Sequence, residues 1–362
     1  MDRKGHLGLS LARFLFAESP PEKRLAFSGG FGYLLSKAIR SLFLRRYALG
    51  GFQIKPGGFP DQARDWRSKV DRSQIGASVA SLADYSLVEA LEKIREMGFE
   101  SVELLAFEGA RHSIGDLGGF WFDELTEKER DRLKEAVGAF GYVALHAPFI
   151  DMPLFTHNIG IKREAMSQIK QALEAAWYLG SEMVTVHANQ KTFFELEEFW
   201  SEMVDTFREL GDFAQGCGVR LGIETGYPNT VRDYLKLFLD INHEAVGATV
   251  DVGHIVPYVP RKVLRSKEGV QAFNDTLMEI VRMLGSKVLH IHVHDVRKED
   301  WRDHRTAGRG IVDFDRLFGF LAEIGYEGLF ELELEEEDRE LALWESKDFL
   351  EELVDKYGEG TR

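Results

Sequence analysis

The chain has 362 residues, 44% hydrophobic and 29% charged, with a formal net charge of −15. These are the proportions of a soluble globular protein. The acidic balance disfavours a nucleic-acid binder of the basic-patch kind, because phosphate contacts need cationic surface. The single cysteine, Cys217, excludes an internal disulfide, and no apolar run has the length of a membrane-spanning helix.

Charge divides the chain. Residues 1–73 hold 14 Lys or Arg against 6 Asp or Glu, net +8, which leaves −23 on the remainder. Residues 1–73 therefore read as an N-terminal basic extension and 74–362 as the catalytic domain. Leu7 to Ala17 is apolar, but Arg13 interrupts it, so a cytoplasmic location is expected rather than export. From Phe31 to Phe52, apolar residues recur at roughly helical spacing with Lys37, Arg40, Arg45 and Arg46 among them. A segment that covers the bottom of the main domain, or is poorly ordered, is expected there ahead of a helix on acidic lipid.

From Gln74 the pattern is regular. Strands are expected over 74–80, 101–105, 142–147, 183–187, 220–224, 248–251, 287–294 and 328–334. Helices are expected over 86–97, 125–140, 162–179, 196–215, 231–241, 270–284, 314–324 and 339–357. Strict alternation of strand and helix implies a parallel sheet. Eight such units suit a closed (β/α)8 TIM barrel of about 250 residues. An open doubly wound sheet is the alternative, and the lack of a glycine-rich phosphate fingerprint after the first strand counts against it.

The stretch from Val288 to Gly310 is the most unusual. His290, His292 and His294 alternate with Ile291 and Val293 and so share one strand face, and Asp295, Asp303 and His304 follow. His290 on its own reads as a core histidine. Elsewhere His146, His187, Glu224 and Asp251 end their strands, His254 follows Asp251 by three residues, and Glu333 closes the eighth strand. In a parallel barrel those positions meet at one mouth, where such barrels keep their active sites. Imidazole with carboxylate and no thiolate suits Mn, Co, Mg, Fe or Zn as divalent ions.

At these residues the chain resembles the xylose-isomerase-like TIM-barrel superfamily, which includes sugar-phosphate isomerases and epimerases and the zinc apurinic-site endonucleases. The matching pieces are Leu145-His-Ala-Pro148, Thr185-Val-His187, Gly222-Ile-Glu224, Thr249-Val-Asp-Val-Gly-His254, His292-Val-His-Asp295, His304 with Gly308-Arg-Gly310, and Gly325-Tyr-Glu-Gly-Leu-Phe-Glu-Leu-Glu333. The resemblance covers roughly 74–340. The isomerase and epimerase branch implies one divalent metal (Mn, Co, Mg or Zn) on Glu224, Asp251, His292 and Glu333. By the same resemblance, Glu224 and Glu333 would double as the catalytic proton-transfer pair for a metal-stabilised enediolate, and His146, His187, His254 and His304 would bind substrate. Glu331 shares a strand face with Glu333, and Glu333 is preferred for its distance from Gly328. The expected partner is a small carbohydrate, phosphorylated or not, and homo-oligomers are common in such families.

The alternatives are a zinc-dependent phosphodiesterase or apurinic-site endonuclease, and a lyase or dehydratase of the same superfamily. Against the endonuclease, Arg302 stands two residues before His304 where the pattern wants Asp, and Asp303 is expected to point elsewhere. Ser78 also stands where the endonucleases carry a histidine.

Overall fold

The computed structural model describes residues 70–109, 115–188 and 195–358, with the backbone of 111–112. The expectations for 1–69, the basic segment and its Phe31–Phe52 stretch, lie outside those residues.

The strand-forming runs become β1 (Ile75–Ser78), β2 (Ser101–Leu105), β5 (Tyr142–His146), β6 (Met183–Val186), β7 (Arg220–Glu224), β8 (Val246–Asp251), β9 (Val288–Val293) and β10 (Leu329–Leu332). They pair in parallel and close into a barrel in the order β1-β10-β9-β8-β7-β6-β5-β2. This is the (β/α)8 barrel that the alternation predicts. An unexpected pair, β3 (Arg111–His112) and β4 (Gly115–Asp116), forms a small antiparallel hairpin in the loop after β2. Two residues per strand are too few to carry a periodic signal. Asp84 pins this loop: its carboxylate accepts the Asp116 N–H at 2.9 Å and its own N–H donates to the Asp116 carbonyl at 2.7 Å.

The first strand is shorter than the 74–80 run suggests. Ser78 accepts the Ala80 N–H and starts a 3-10 turn over Val79–Leu82. Helix starts follow their caps. Ser86 with Glu89, and Thr126 with Glu129, form capping boxes at the helices Leu87–Glu96 and Glu127–Val137. Gly180 and Gly218 end the helices Ile159–Leu179 and Leu196–Cys217 in the left-handed conformation. No helix among the described residues is long and apolar enough to cross a membrane.

The apolar core lies between the strands and the helical layer, with Tyr234, Phe207, Phe273, Phe318 and Phe330 wholly buried. Each such ring contributes about 1.5–3 kcal/mol by leaving water. The barrel interior differs. A small apolar plug of Ala144, Met183, Leu289 and Leu329 fills its base. Above it the interior turns polar: Thr185 and Thr249 share a 3.0 Å hydrogen bond, and Glu103, His290, His292 and Glu331 are all fully buried. Bulky branched residues usually fill this level. Gly76 makes the room, since a Cβ there would lie 2.3 Å from the Glu331 carboxylate.

Cys217 ends its helix, away from the strand C-termini. Burial pushes its thiol up to about 12. Maleimide labelling at pH 8 is expected to be on the order of 100-fold slower in the native protein than in urea. Equal rates would contradict the described packing.

Candidate metal centre at the barrel mouth

Parallel strands deliver their last residues to the same end. Glu224, Asp251 and His146 are the final residues of β7, β8 and β5. His187 lies one residue past β6, and Glu333 one past β10, held in the ladder by its N–H to the Val293 carbonyl at 3.2 Å. His254 sits in the 3-10 turn Gly253–Tyr258, and His304 in the loop after β9. All eight side chains expected at the site lie at this mouth.

Glu224 is the hub of one half. Its Oε2 is 2.6 Å from His187 Nε2 and 3.2 Å from His146 Nε2, and its Oε1 is 2.8 Å from His254 Nδ1. The His292 ring lies below. Its Nδ1 is 3.1 Å from Glu333 Oε2 and 3.8 Å from both Glu224 Oε1 and Asp251 Oδ2. The expected quartet of Glu224, Asp251, His292 and Glu333 thus converges on one imidazole nitrogen. Glu331 lies one layer lower, and neither of its oxygens has a hydrogen bond.

Asp251 anchors the other half. His294 Nε2 is 2.9 and 3.0 Å from its two oxygens, and the Gly253 and His254 N–H groups donate to Oδ1 at 2.9 and 2.8 Å. The His304 ring stacks on His294 with centroids 4.1 Å apart, and its Nε2 is 3.9 Å from both Asp251 Oδ2 and Glu333 Oε2. Asp303 corrects one expectation. It does not point away: its carboxylate lies 3.5 Å from His304 Nδ1 and clusters with His254. His304 has φ of +55°, which breaks strand-like alternation and turns neighbouring side chains toward one pocket.

The loop that carries His304 is tied back by Asp295, whose carboxylate accepts N–H groups from Val296 (2.8 Å), Gly310 (2.7 Å) and Val312 (3.1 Å). Asp295→Ala leaves these donors unpaired and should cost about 3 kcal/mol, at about 1–3 kcal/mol per buried orphan. Asp295→Asn keeps one acceptor and should cost less. Urea melts in which both variants match the unaltered protein would show that the loop is held by other means.

Whether a divalent ion suits these residues can be judged from the donors. His292 Nδ1 is buried and makes no hydrogen bond. Three carboxylates face it at 3.1–3.8 Å. Ligand bonds of about 2.0–2.2 Å place neighbouring donors about 3–4 Å apart. The set fits a cation with mixed nitrogen and oxygen ligands. A cavity of about 160 Å³ opens above it, lined by His146, His187, Glu224, His254, His304 and Glu333 with Phe149 and Leu105 among the apolar walls. A larger groove of about 410 Å³, between Ile159 and Glu209 on the helical surface, includes none of these groups.

Residues 91–353 match the family described as the xylose isomerase-like TIM barrel. The chain belongs to that family. An uncharacterized protein of Methanocaldococcus jannaschii is 27% identical to this barrel over 275 residues, 72% of this chain and 83% of the relative. An inosose dehydratase of Serratia proteamaculans is 24% identical over 209 residues, 52% of this chain and 63% of that enzyme. Among solved structures, a D-tagatose 3-epimerase-like protein superposes with a TM-score of 0.59 at 26% identity, covering 79% of this chain and 98% of the other. The relatives and neighbours include enzymes that act on small carbohydrates.

In this xylose isomerase-like barrel, the carboxylates and imidazoles set each other's charge. Burial alone would raise Glu224, but His187, His146 and His254 hold it well below the ordinary carboxylate range. Burial likewise opposes ionisation of Asp251 and Glu333, and the imidazoles around them bring both down. In return, Asp251 and Glu224 outweigh burial and lift His254 to about 10, and Asp303, Asp251 and Glu333 lift His304 to about 9. Burial, with the nearby Glu103 carboxylate, pushes Glu331 well above the usual carboxylate range. The sequence reading passed over Glu103 as part of an ordinary strand. The signal was present: a lone carboxylate in a strand otherwise built to be buried on both faces.

Proposed function

We propose that this chain is a divalent-metal-dependent isomerase or epimerase of a small sugar or sugar phosphate. One observation carries the reading: two carboxylates, Glu224 and Glu333, line one small cavity and both approach His292 Nδ1, at 3.8 and 3.1 Å. Glu224, Asp251, His292 and Glu333 would hold one ion, Mn, Co, Mg or Zn. A bound ion supplies Lewis-acid stabilisation of charge that develops on substrate oxygens. One carboxylate takes the proton from the carbon beside the substrate carbonyl. The other returns a proton to the opposite face for epimerisation, or the proton goes to the neighbouring carbon for isomerisation. His187 and His254 hold Glu224 and present polar edges to substrate hydroxyls, with His146 and His304 completing the wall. Phe149 stacks on His187 with centroids 4.6 Å apart and shields that side from water.

A second reading is a dehydratase, supported by the likeness to inosose dehydratases. It shares the first proton abstraction and then expels a hydroxyl group. The test is metal content per chain by mass spectrometry, followed by incubation of free and phosphorylated ketoses in deuterium oxide. One ion per chain with deuterium beside the carbonyl of an isomerised product supports the proposal. A dehydrated product moves the assignment to the lyase. Two or three zinc ions with no exchange would sink both readings and direct the work to phosphodiester substrates.

A further inference from the structure

Glu103 lies in the middle of β2, wholly buried, one layer beneath the cavity. None of the steps above uses it. Its Oε2 accepts a hydrogen bond from His292 Nε2 at 3.2 Å. The same oxygen is 3.2 Å from His290 Nε2, which is not aligned for a hydrogen bond. The His290 ring packs edge-on against His292 with centroids 5.0 Å apart. Glu103 is therefore flanked by two imidazoles, and it touches the far side of the ring whose near side faces three carboxylates.

The two nitrogens of an imidazole are not independent. A partner that accepts at one decides which nitrogen keeps a proton and which offers a lone pair. A carboxylate at Nε2 holds the proton there and fixes the ring plane, which leaves Nδ1 as the donor. A buried carboxylate is a costly way to fill a barrel, because taking a charge out of water carries a desolvation penalty that is repaid only by well-placed partners. Glu103 thus does little for the packing at this level, while its contact with His292 is directional.

We propose that Glu103 is a positioning residue that sets the ring orientation and tautomer of His292, so that Nδ1 is presented to the cation held by Glu224, Asp251 and Glu333. The proposal rests on the reading of His292 as a ligand. His290 braces the Glu103 carboxylate from its other side.

The probe is Co²⁺ added to the metal-free full-length protein, followed by calorimetry and by its visible absorption, which reports ligand geometry. Glu103→Leu should bind Co²⁺ about 10- to 100-fold more weakly than the unaltered protein, the usual effect of removing the outer partner of a ligating histidine. Its absorption bands should shift, and its melting temperature should fall, because the buried His292 Nε2–H is left without its acceptor. Glu103→Gln keeps an acceptor oxygen at nearly the same volume and should recover much of the affinity. It also serves if the leucine variant fails to fold. Unchanged affinity and spectrum in both variants would overturn the proposal. With Co²⁺ still lost in Glu224→Gln, that outcome would leave the metal-site reading standing. No Co²⁺ binding by the unaltered protein would overturn both.

Discussion

Glu224→Gln is expected to lose on the order of 10³-fold or more in turnover, the upper part of the range for a positioned acid or base. The amide has nearly the same shape, so the fold should be kept. It cannot take a proton from carbon, and it no longer supplies the charge that three imidazoles surround. His187, His146 and His254 lie within 3.2 Å of the carboxylate oxygens, so they lose their shared counter-charge in one substitution. Divalent ion affinity should fall with turnover, because the proposed function makes the same group ligand and base. Solvent-deuterium exchange into a substrate analogue measures the first effect and calorimetry the second. Turnover within about threefold of the unaltered enzyme would remove Glu224 from the catalytic pair.

Asp251→Ala should have the largest effect on stability among the mouth residues, about 3–5 kcal/mol. Asp251 is fully buried and receives His294, the Gly253 N–H and the His254 N–H, all within 3.0 Å. Truncation leaves an imidazole and two backbone donors without partners, away from water. Whole domains are stable by only about 5–15 kcal/mol, so a large share of the total is at risk. Asp251→Asn keeps an acceptor for the backbone groups and should cost less, while still weakening ion binding. Urea midpoints for the two variants are the measurement. A loss below about 1 kcal/mol in the alanine variant would mean that the network is not what holds this turn.

Much of this was legible in the residues. Helices announce their own ends: Ser86 with Glu89 and Thr126 with Glu129 mark starts, and Gly180 and Gly218 mark stops. Alternation placed His290, His292 and His294 on one face, and all three side chains are fully buried. The eight polar side chains could be located because strand ends are set by local pattern and closure brings those ends together. What local pattern does not carry is contact across the barrel. Glu103 and His292 are 189 positions apart, and their hydrogen bond depends on how eight strands close. Asp303 was misread because its direction depends on the left-handed backbone at His304, a position where no glycine advertises it.

Closure of the barrel has one more consequence. β1 lies against β10, and the carbonyl of Val70 comes within 2.6 Å of where a Cβ on Gly358 would sit. The two ends of the described barrel are therefore neighbours. A short linker from Gly358 to Val70 would join them, and the chain could then be opened at an exposed turn such as Gly218. Such a circular permutant, made without residues 1–69, keeps every strand in register. The cut falls just before β7, at the opposite end of the strand from Glu224, so the mouth residues are left in place.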